Sequence, residues 1–309
     1  MTRIAIAGGT GMLGREVSAV LEEKGHSLVL LSRRAQIAPG YEQVVQWDPV
    51  TRPAPAEALS GVQAVINLAG EPVSGRWTSA KRERIRTSRV RGTTNLVRGM
   101  LDARPGPQLL ISTSAIGYYG PRGDQVLNER ASSGDSYLAQ VAREWEAAAE
   151  QFATAGNRLV TMRLGIVLGH GGALKQMLPL ARLGLGGPLG SGRQWWSWVH
   201  IADVCRFVVG AIEDLECTGT YNLTAPEPVR QREFAQTLGR VLGRPAVLPA
   251  PAFGLRLLLG GFSTELLDSK RVIPERLQNS GWRFAHPDLY TALKGLILRR
   301  RSDGPPASV

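Results

Sequence analysis

Cysteine and histidine are scarce in this 309-residue chain, with two of the first and four of the second. Cys205 and Cys217 build no disulfide framework and suit a reducing compartment. His26, His170, His200 and His286 are scattered without metal-ligand spacing, so no metal is expected. No stretch reaches the roughly 18 uninterrupted apolar residues that a spanning helix needs. The start, MTRIAIAGGTG, lacks the shape of a secretory leader, and a cytoplasmic location is expected. Acids are the minority charge, 26 against 37 Lys+Arg, for a net +11. Such an excess suits nucleic acid, anionic membrane or phosphate ligands. The basic runs KRERIRTSRVR (81–91) and RRR (299–301) have no interleaved aromatics and read as a solvated helix face and a tail. Neither a nucleic-acid nor a membrane partner is expected, and the chain reads as a monomer or homodimer.

What is present is alternation. Short β-branched or apolar runs at Arg3–Ala7, Ser27–Leu31, Gln43–Trp47, Ala64–Leu68, Gln108–Thr113 and Leu159–Leu164 are separated by helical patterns near 12–24, 78–103 and 136–156. This predicts an α/β fold, a doubly wound parallel sheet covered on both faces. From about 170 a glycine-rich loop, LGLGGPLGSGR (183–193), leads to WWSWVHIAD. Helices are expected at 201–214, 230–242, in PAFGLRLLLG and around Pro274, with a strand at Thr220–Leu223. Residues 1–170 read as a nucleotide-binding domain to which about 200–225 return, 171–298 as mainly a small C-terminal α/β substrate lobe, and 299–309 as a disordered tail.

The motif that carries chemistry is Gly8-Gly9-Thr10-Gly11-Met12-Leu13-Gly14, set between a strand and a helix. Gly8 permits the tight turn, Gly11 lets backbone approach a pyrophosphate, and Gly14 lets helix pack on strand, as in a Rossmann dinucleotide site. The helix N-terminus offers free amides to phosphate. The second strand runs into Ser32-Arg33-Arg34, with no acid for ribose hydroxyls. Guanidinium forks recognise phosphate, so NADP(H) is expected rather than NAD. Trp47-Asp48 and Asn67-Leu68-Ala69-Gly70 end the third and fourth strands, where ligands of open α/β sheets bind.

The blocks GGTGMLG, NLAGEPVSGRW, STSAIGYYG, RLGIVLGHGGAL, LGLGGPLGSGRQWWSWVHIAD and YNLTAPEPV together resemble the atypical extended short-chain dehydrogenase/reductases, within the NAD-dependent epimerase/dehydratase superfamily. More narrowly they resemble the SDR39U1-like "epimerase family protein" group, with its C-terminal segment at 247–295. The resemblance implies an NADP-binding domain with a substrate lobe. It assigns Thr10, Met12 and Leu13 to the phosphate loop, and Ser32 and Arg33 to the 2′-phosphate. It also places Leu68, Ala69, Glu71, Arg89 and Val167 around the cofactor.

Superfamily enzymes use Ser, Tyr and Lys, and the resemblance matches Ser114 and Tyr137 to the first two. Val141 stands where the lysine is expected. A free phenol titrates near pH 10, so an unaided tyrosine is a poor base at neutrality. Three readings stay open: Tyr137 and Ser114 with a substitute cation, Tyr118 or Tyr119 as acid/base, or a silent NADP(H)-binding regulator. Trp195 and Trp196 are candidates to wall a small-molecule substrate of unknown identity, and Arg193 to meet a substrate anion. Asp203 reads as a helix-start residue and Arg163 as structural.

Overall fold

The computed structural model describes residues 1–35 and 38–298, so the expected disorder of 299–309 lies outside the described residues. Along the first half run β1 (Arg3–Ala7), α1 (Met12–Glu23), β2 (Ser27–Ser32), β3 (Gln43–Gln46), α2 (Ala56–Leu59), β4 (Ala64–Asn67), α3 (Ser79–Asp102) and β5 (Leu109–Ala115). A 3-10 turn at Ile116–Tyr119 leads to β6 (Val126–Leu127), α4 (Tyr137–Thr154) and β7 (Arg158–Leu164). The second half holds β8 (Ile166–Leu168), α5 (Gly172–Arg182), β9 (Trp195–Trp196), β10 (Trp198–His200), α6 (Ile201–Glu213) and β11 (Gly219–Leu223). It ends with β12 (Val229–Arg230), α7 (Gln231–Leu242), α8 (Ala252–Leu259), α9 (Phe262–Leu267), β13 (Arg271–Val272), α10 (Glu275–Asn279) and α11 (Leu289–Leu298).

Seven strands form one parallel sheet in the order β11-β7-β5-β4-β1-β2-β3. Strand side chains alternate between faces, and β1 shows it. Ile4 and Ile6 join Val17 and Leu21 of α1 and Val204 and Val208 of α6. Ala5 and Ala7 join Leu96 of α3 and Phe152 of α4 on the other face. The chain winds outward from β1 in both directions, so the order reverses between β1 and β4, and ligands bind outside such a crevice. Among the described residues no helix is long and apolar enough to cross a membrane.

The lobe has its own core, with Leu174, Trp196, Trp198, Phe234 and Leu293. Three two-stranded ladders, β8 with β10, β9 with β12 and β6 with β13, stitch it together. None of them was expected from sequence. Strands of two or three residues carry no readable period and exist only through distant partners. Helix α5 was also missed, because Pro179 inside it reads as a breaker.

One ion pair locks sheet to helix. Arg163 of β7 reaches Glu146 of α4 through both carboxylate oxygens, Nε to Oε1 at 2.8 Å and Nη2 to Oε2 at 2.7 Å. The two side chains are 6% and 16% exposed. At the start of α6, the His200 imidazole Nδ1 accepts from the Ala202 amide. Asp203 accepts from the amides of Ala285 and His286. The His200 ring lies 3.7 Å from that of His286. Burial first, then the neighbouring charges of His286 and His170, pull the His200 pKa down to about 3.

Two outcomes follow from these buried groups. Replacing Glu146 by Gln strands a buried guanidinium and is expected to cost about 3 kcal/mol in urea unfolding; a loss under about 1 kcal/mol would refute a buried pair. For His200, the unfolded chain titrates near 6.5 and the folded chain near 3, so the unfolded state holds one more proton between those values. Stability therefore falls as pH falls through that window, by up to about 1.4 kcal/mol per pH unit from this group. His200→Asn keeps a capping side chain and should flatten the slope by one proton, whereas an unchanged slope would show that His200 is not the group.

Candidate functional site

The loop after β1 is built from close backbone approaches. Gly8 has φ +83°, and a Cβ there would lie 2.7 Å from the Leu68 carbonyl carbon and 2.8 Å from the Ala69 nitrogen. A Cβ on Gly14 would run into the Gly8 carbonyl. The Gly11 amide donates to Gly8 O at 3.1 Å and closes the turn. Gly11 also caps α1 without a side chain, so no side-chain oxygen caps the first-turn amides. Thr10 is exposed, and its carbonyl accepts from Arg15 Nε. Leu13 packs on the sheet core. The Met12 sulfur sits about a van der Waals contact from Gly169 and Gly171, which joins the phosphate loop to the turn after Val167.

At the end of β2, the Ser32 hydroxyl accepts from the Arg34 amide at 3.1 Å, and the Arg33 carbonyl accepts from Gln46. Both arginine side chains are exposed. Trp47 is buried in the core and donates to the Arg52 carbonyl, while Asp48 accepts from the Val50 amide.

The end of β4 is gripped from α3. The Glu71 carboxylate accepts from Lys81 at 2.9 Å and has Arg84 at 3.5 Å, which holds it below the usual carboxylate range. Glu71 thus turns its charge toward α3. Its backbone carbonyl accepts from Arg89, whose other bond is to the Ile85 carbonyl. The Arg89 guanidinium lies 5.1 Å from the centre of the Trp145 ring and 3.2 Å from where a Gly70 Cβ would be. Burial pulls its pKa down to about 10. This cation hydrogen-bonds to carbonyls alone among the described residues, and the Glu71 carboxylate acts on it without a direct bond.

The hydroxyl candidates divide into three situations. Ser114 is buried and donates to Glu146 Oε1 at 2.6 Å, beside Arg163. Tyr119 is fully buried, donates to Asn222 at 2.7 Å and accepts from Arg163 at 2.9 Å; burial lifts its pKa to about 12. It is a strut between sheet and lobe. Tyr118 is half-buried, with the Arg163 guanidinium carbon 3.4 Å from its ring centre. Its hydroxyl has no hydrogen-bond partner among the described residues. Tyr137 stands apart, donating to the Arg82 carbonyl at 2.5 Å with its ring edge-on to Trp77 at 5.6 Å. Burial raises its pKa, against the lowering effect of Arg82. Val141, one turn on, is buried.

The structure therefore unites Ser114, Tyr118 and Arg163 around Glu146, and leaves Tyr137 outside that group. Sequence reasoning missed Glu146. Its signal was an acid at i+4 from Ala142 on a helix face otherwise given to Ala142, Trp145 and Ala149.

In the lobe, Trp195 donates its indole N–H to Asp124 at 2.9 Å, and the guanidinium carbons of Arg230 and Arg271 lie 4.0 and 4.6 Å from its ring centre. Arg271 Nε is buried with no partner. Arg193 is exposed and contributes its carbonyl, which accepts from Arg230. Trp196 is buried edge-on against Phe234, in the lobe core. The cations beside Trp195 are thus Arg271 and Arg230, the latter paired with Asp124 at 2.7 Å, and neither was singled out from sequence because only folding brings them to the ring.

Comparison with known proteins places this architecture. The model of the NAD dependent epimerase/dehydratase family matches residues 4–224, and a domain of unknown function, DUF1731, matches 250–296. The epimerase family protein YfhF of Bacillus subtilis is 36% identical, with 97% of this chain and 99% of the relative covered. The chloroplastic SDR39U1 homolog of Arabidopsis thaliana is also 36% identical, over 95% of this chain and 86% of the relative. The crystal structure of human epimerase family protein SDR39U1 with NADPH superposes with a TM-score of 0.86 at 33% identity, covering 96% of this chain and 99% of that one. The chain belongs to the NAD dependent epimerase/dehydratase family, and carries that family's Rossmann-type parallel sheet together with the DUF1731 segment.

Proposed function

We propose that this protein is an NADP(H)-dependent oxidoreductase or epimerase-like enzyme acting on a small molecule, with Ser114 and Tyr118 as its hydroxyl pair. One observation carries the catalytic part: the Arg163–Glu146 pair stands between the two hydroxyl residues, bonded to Ser114 and stacked on Tyr118. The pair holds both hydroxyl residues in one place, Ser114 through a hydrogen bond to Glu146 and the Tyr118 ring through the Arg163 guanidinium on its face. The residues present fit the cofactor: Gly8, Gly11 and the first-turn amides of α1 would hold its pyrophosphate. Ser32, Arg33 and Arg34 would take a 2′-phosphate, and Arg89, bonded to the Glu71 and Ile85 carbonyls, would add a cation beside the nucleotide. The NADPH in the human relative supports the same choice of nucleotide. When bound, NADP(H) supplies or accepts hydride at the nicotinamide. Ser114 would then orient a substrate carbonyl or alcohol, and Tyr118 would pass the proton to or from its oxygen. Arg271 beside Trp195, its Nε without a partner, favours a substrate with an acidic group, whereas Arg230 is already paired with Asp124.

A second reading has an observation of its own. Val141 is buried, and the Tyr137 hydroxyl is spent on the Arg82 carbonyl, so the family's usual tyrosine–lysine couple is absent. That favours a silent NADP(H)-binding regulator.

Titration with NADPH and NADH side by side should give tighter NADPH binding. Arg33→Gln should weaken NADPH at least tenfold and leave NADH unchanged; equal affinities in the parent would sink the NADP assignment. In a carbonyl and alcohol library, turnover should fall by about 10²–10⁴ in Tyr118→Phe and survive in Tyr137→Phe. Silence across the library with tight NADPH binding would establish the regulator instead.

A further inference from the structure

The apolar side chains that this fold leaves in water are gathered on one edge. Of thirteen large hydrophobic residues exposed among the described residues, eight lie in two stretches, 180–185 and 247–258, and are 53–78% exposed. The stretches are neighbours. Leu189 bridges to Ala250, the Gly190 amide donates to Ala250 O at 2.8 Å, and Gly184 lies against the Pro245 ring. Helix α8, AFGLRLLL, buries none of its eight residues. A contiguous apolar edge of this size marks an interaction surface rather than ordinary exposure.

Its charge says what kind. Residues 151–202 and 234–264 contain no Asp or Glu. The cations set into the edge, Arg182, Arg240, Arg244 and Arg256, are all exposed. A cleft of about 310 Å³ beside Val247 is lined by Gln236, Arg240 and Arg244, with donors suited to a phosphate oxygen. A second copy would bring the exposed arginines of one edge onto those of another, which like charges oppose. Exposed Phe and Leu interleaved with arginine, on a short helix lying at the surface, match the interfacial pattern of proteins that sit on anionic bilayers.

We propose that the α5–α8 edge docks on the surface of an anionic lipid bilayer. Phe253, Leu257 and Leu258 enter the boundary between headgroups and acyl chains, and Arg182, Arg244 and Arg256 meet lipid phosphates. This replaces the expectation, drawn from composition, of no membrane partner, and it holds whichever catalytic reading is right. The edge also reaches the start of α4: α8 ends at Gly260, which bridges to Trp77, the ring that packs on Tyr137. A bilayer-docked molecule would thus hold one rim of that region close to the lipid surface.

The experiment is vesicle flotation of the full chain, with phosphatidylcholine alone or mixed with phosphatidylglycerol, at low and high salt. At least tenfold stronger binding to the anionic vesicles is expected, weakening with salt. Phe253→Ser with Leu257→Ser should lower it at least tenfold while the thermal melt stays put. Neutralising Arg182, Arg244 and Arg256 to Gln should lower it about a hundredfold, since each basic residue near such a surface is worth about fivefold. Absent binding, or binding indifferent to phosphatidylglycerol and to the arginine substitutions, would overturn the proposal. So would a dimer in sedimentation that the Phe253/Leu257 substitutions dissolve in a protein that ignores vesicles.

Discussion

The carboxylate of Glu146 is the point on which the middle of this protein depends. It takes two bonds from Arg163 and one from the Ser114 hydroxyl, so β5, β7 and α4 meet on one side chain. Arg163 passes the constraint on, to the Tyr118 ring and to the Tyr119 hydroxyl. Tyr119 hands it to Asn222 of β11, and Asn222 donates to the Ile273 carbonyl just past β13. Sheet, helix and lobe are thereby registered through a chain of charge-assisted and neutral bonds. In a low-dielectric interior such a chain is stable only when every member is satisfied. The same arrangement that fixes the lobe therefore fixes the Ser114 hydroxyl and the ring of Tyr118.

At position 141, where superfamily enzymes carry lysine, this chain buries a valine. A cation on α4 at position 141 would have to be desolvated beside the apolar residues that pack α4 onto the sheet. Val141 removes that cost and lets the helix bury cleanly. The cation beside Ser114 and Tyr118 is Arg163 of β7, neutralised by Glu146 and held by two bonds. The trade is geometric. Arg163 approaches the phenol that precedes Tyr119 rather than the one that begins α4.

The cofactor half was legible because its rules are local. Strands β1, β2 and β4 and helices α1 and α3 fall within a residue or two of their expected ends, since alternation, glycines and caps act over a few residues. The glycine loop could be read to its individual roles, and the clash that a Cβ on Gly8 or Gly14 would suffer follows directly from them. The substrate half was not legible in the same way. Arg271 and Trp195 are far apart in sequence, as are Arg230 and Asp124, and nothing in either's neighbourhood announces the other. Glu146 is the intermediate case: its helical phase marks it as inward, but only the fold shows that Arg163 is what it faces.

Net charge is where composition and structure part most clearly. The basic helix α3 drew attention in the sequence, yet several of its cations are bound internally, Lys81 and Arg84 to Glu71 and Arg86 to Glu144. The excess has another source. Two stretches, 151–202 and 234–264, hold eight Lys and Arg and no acid, against a whole-chain charge of +11. Two of those eight, Arg158 and Arg163, are tied down beside the sheet. The rest sit on the lobe, the part of the molecule that also exposes its apolar side chains. An excess produced by missing acids is harder to see than one produced by a run of bases, because no residue marks it. Its consequence is local, since within these stretches no carboxylate offsets the arginines.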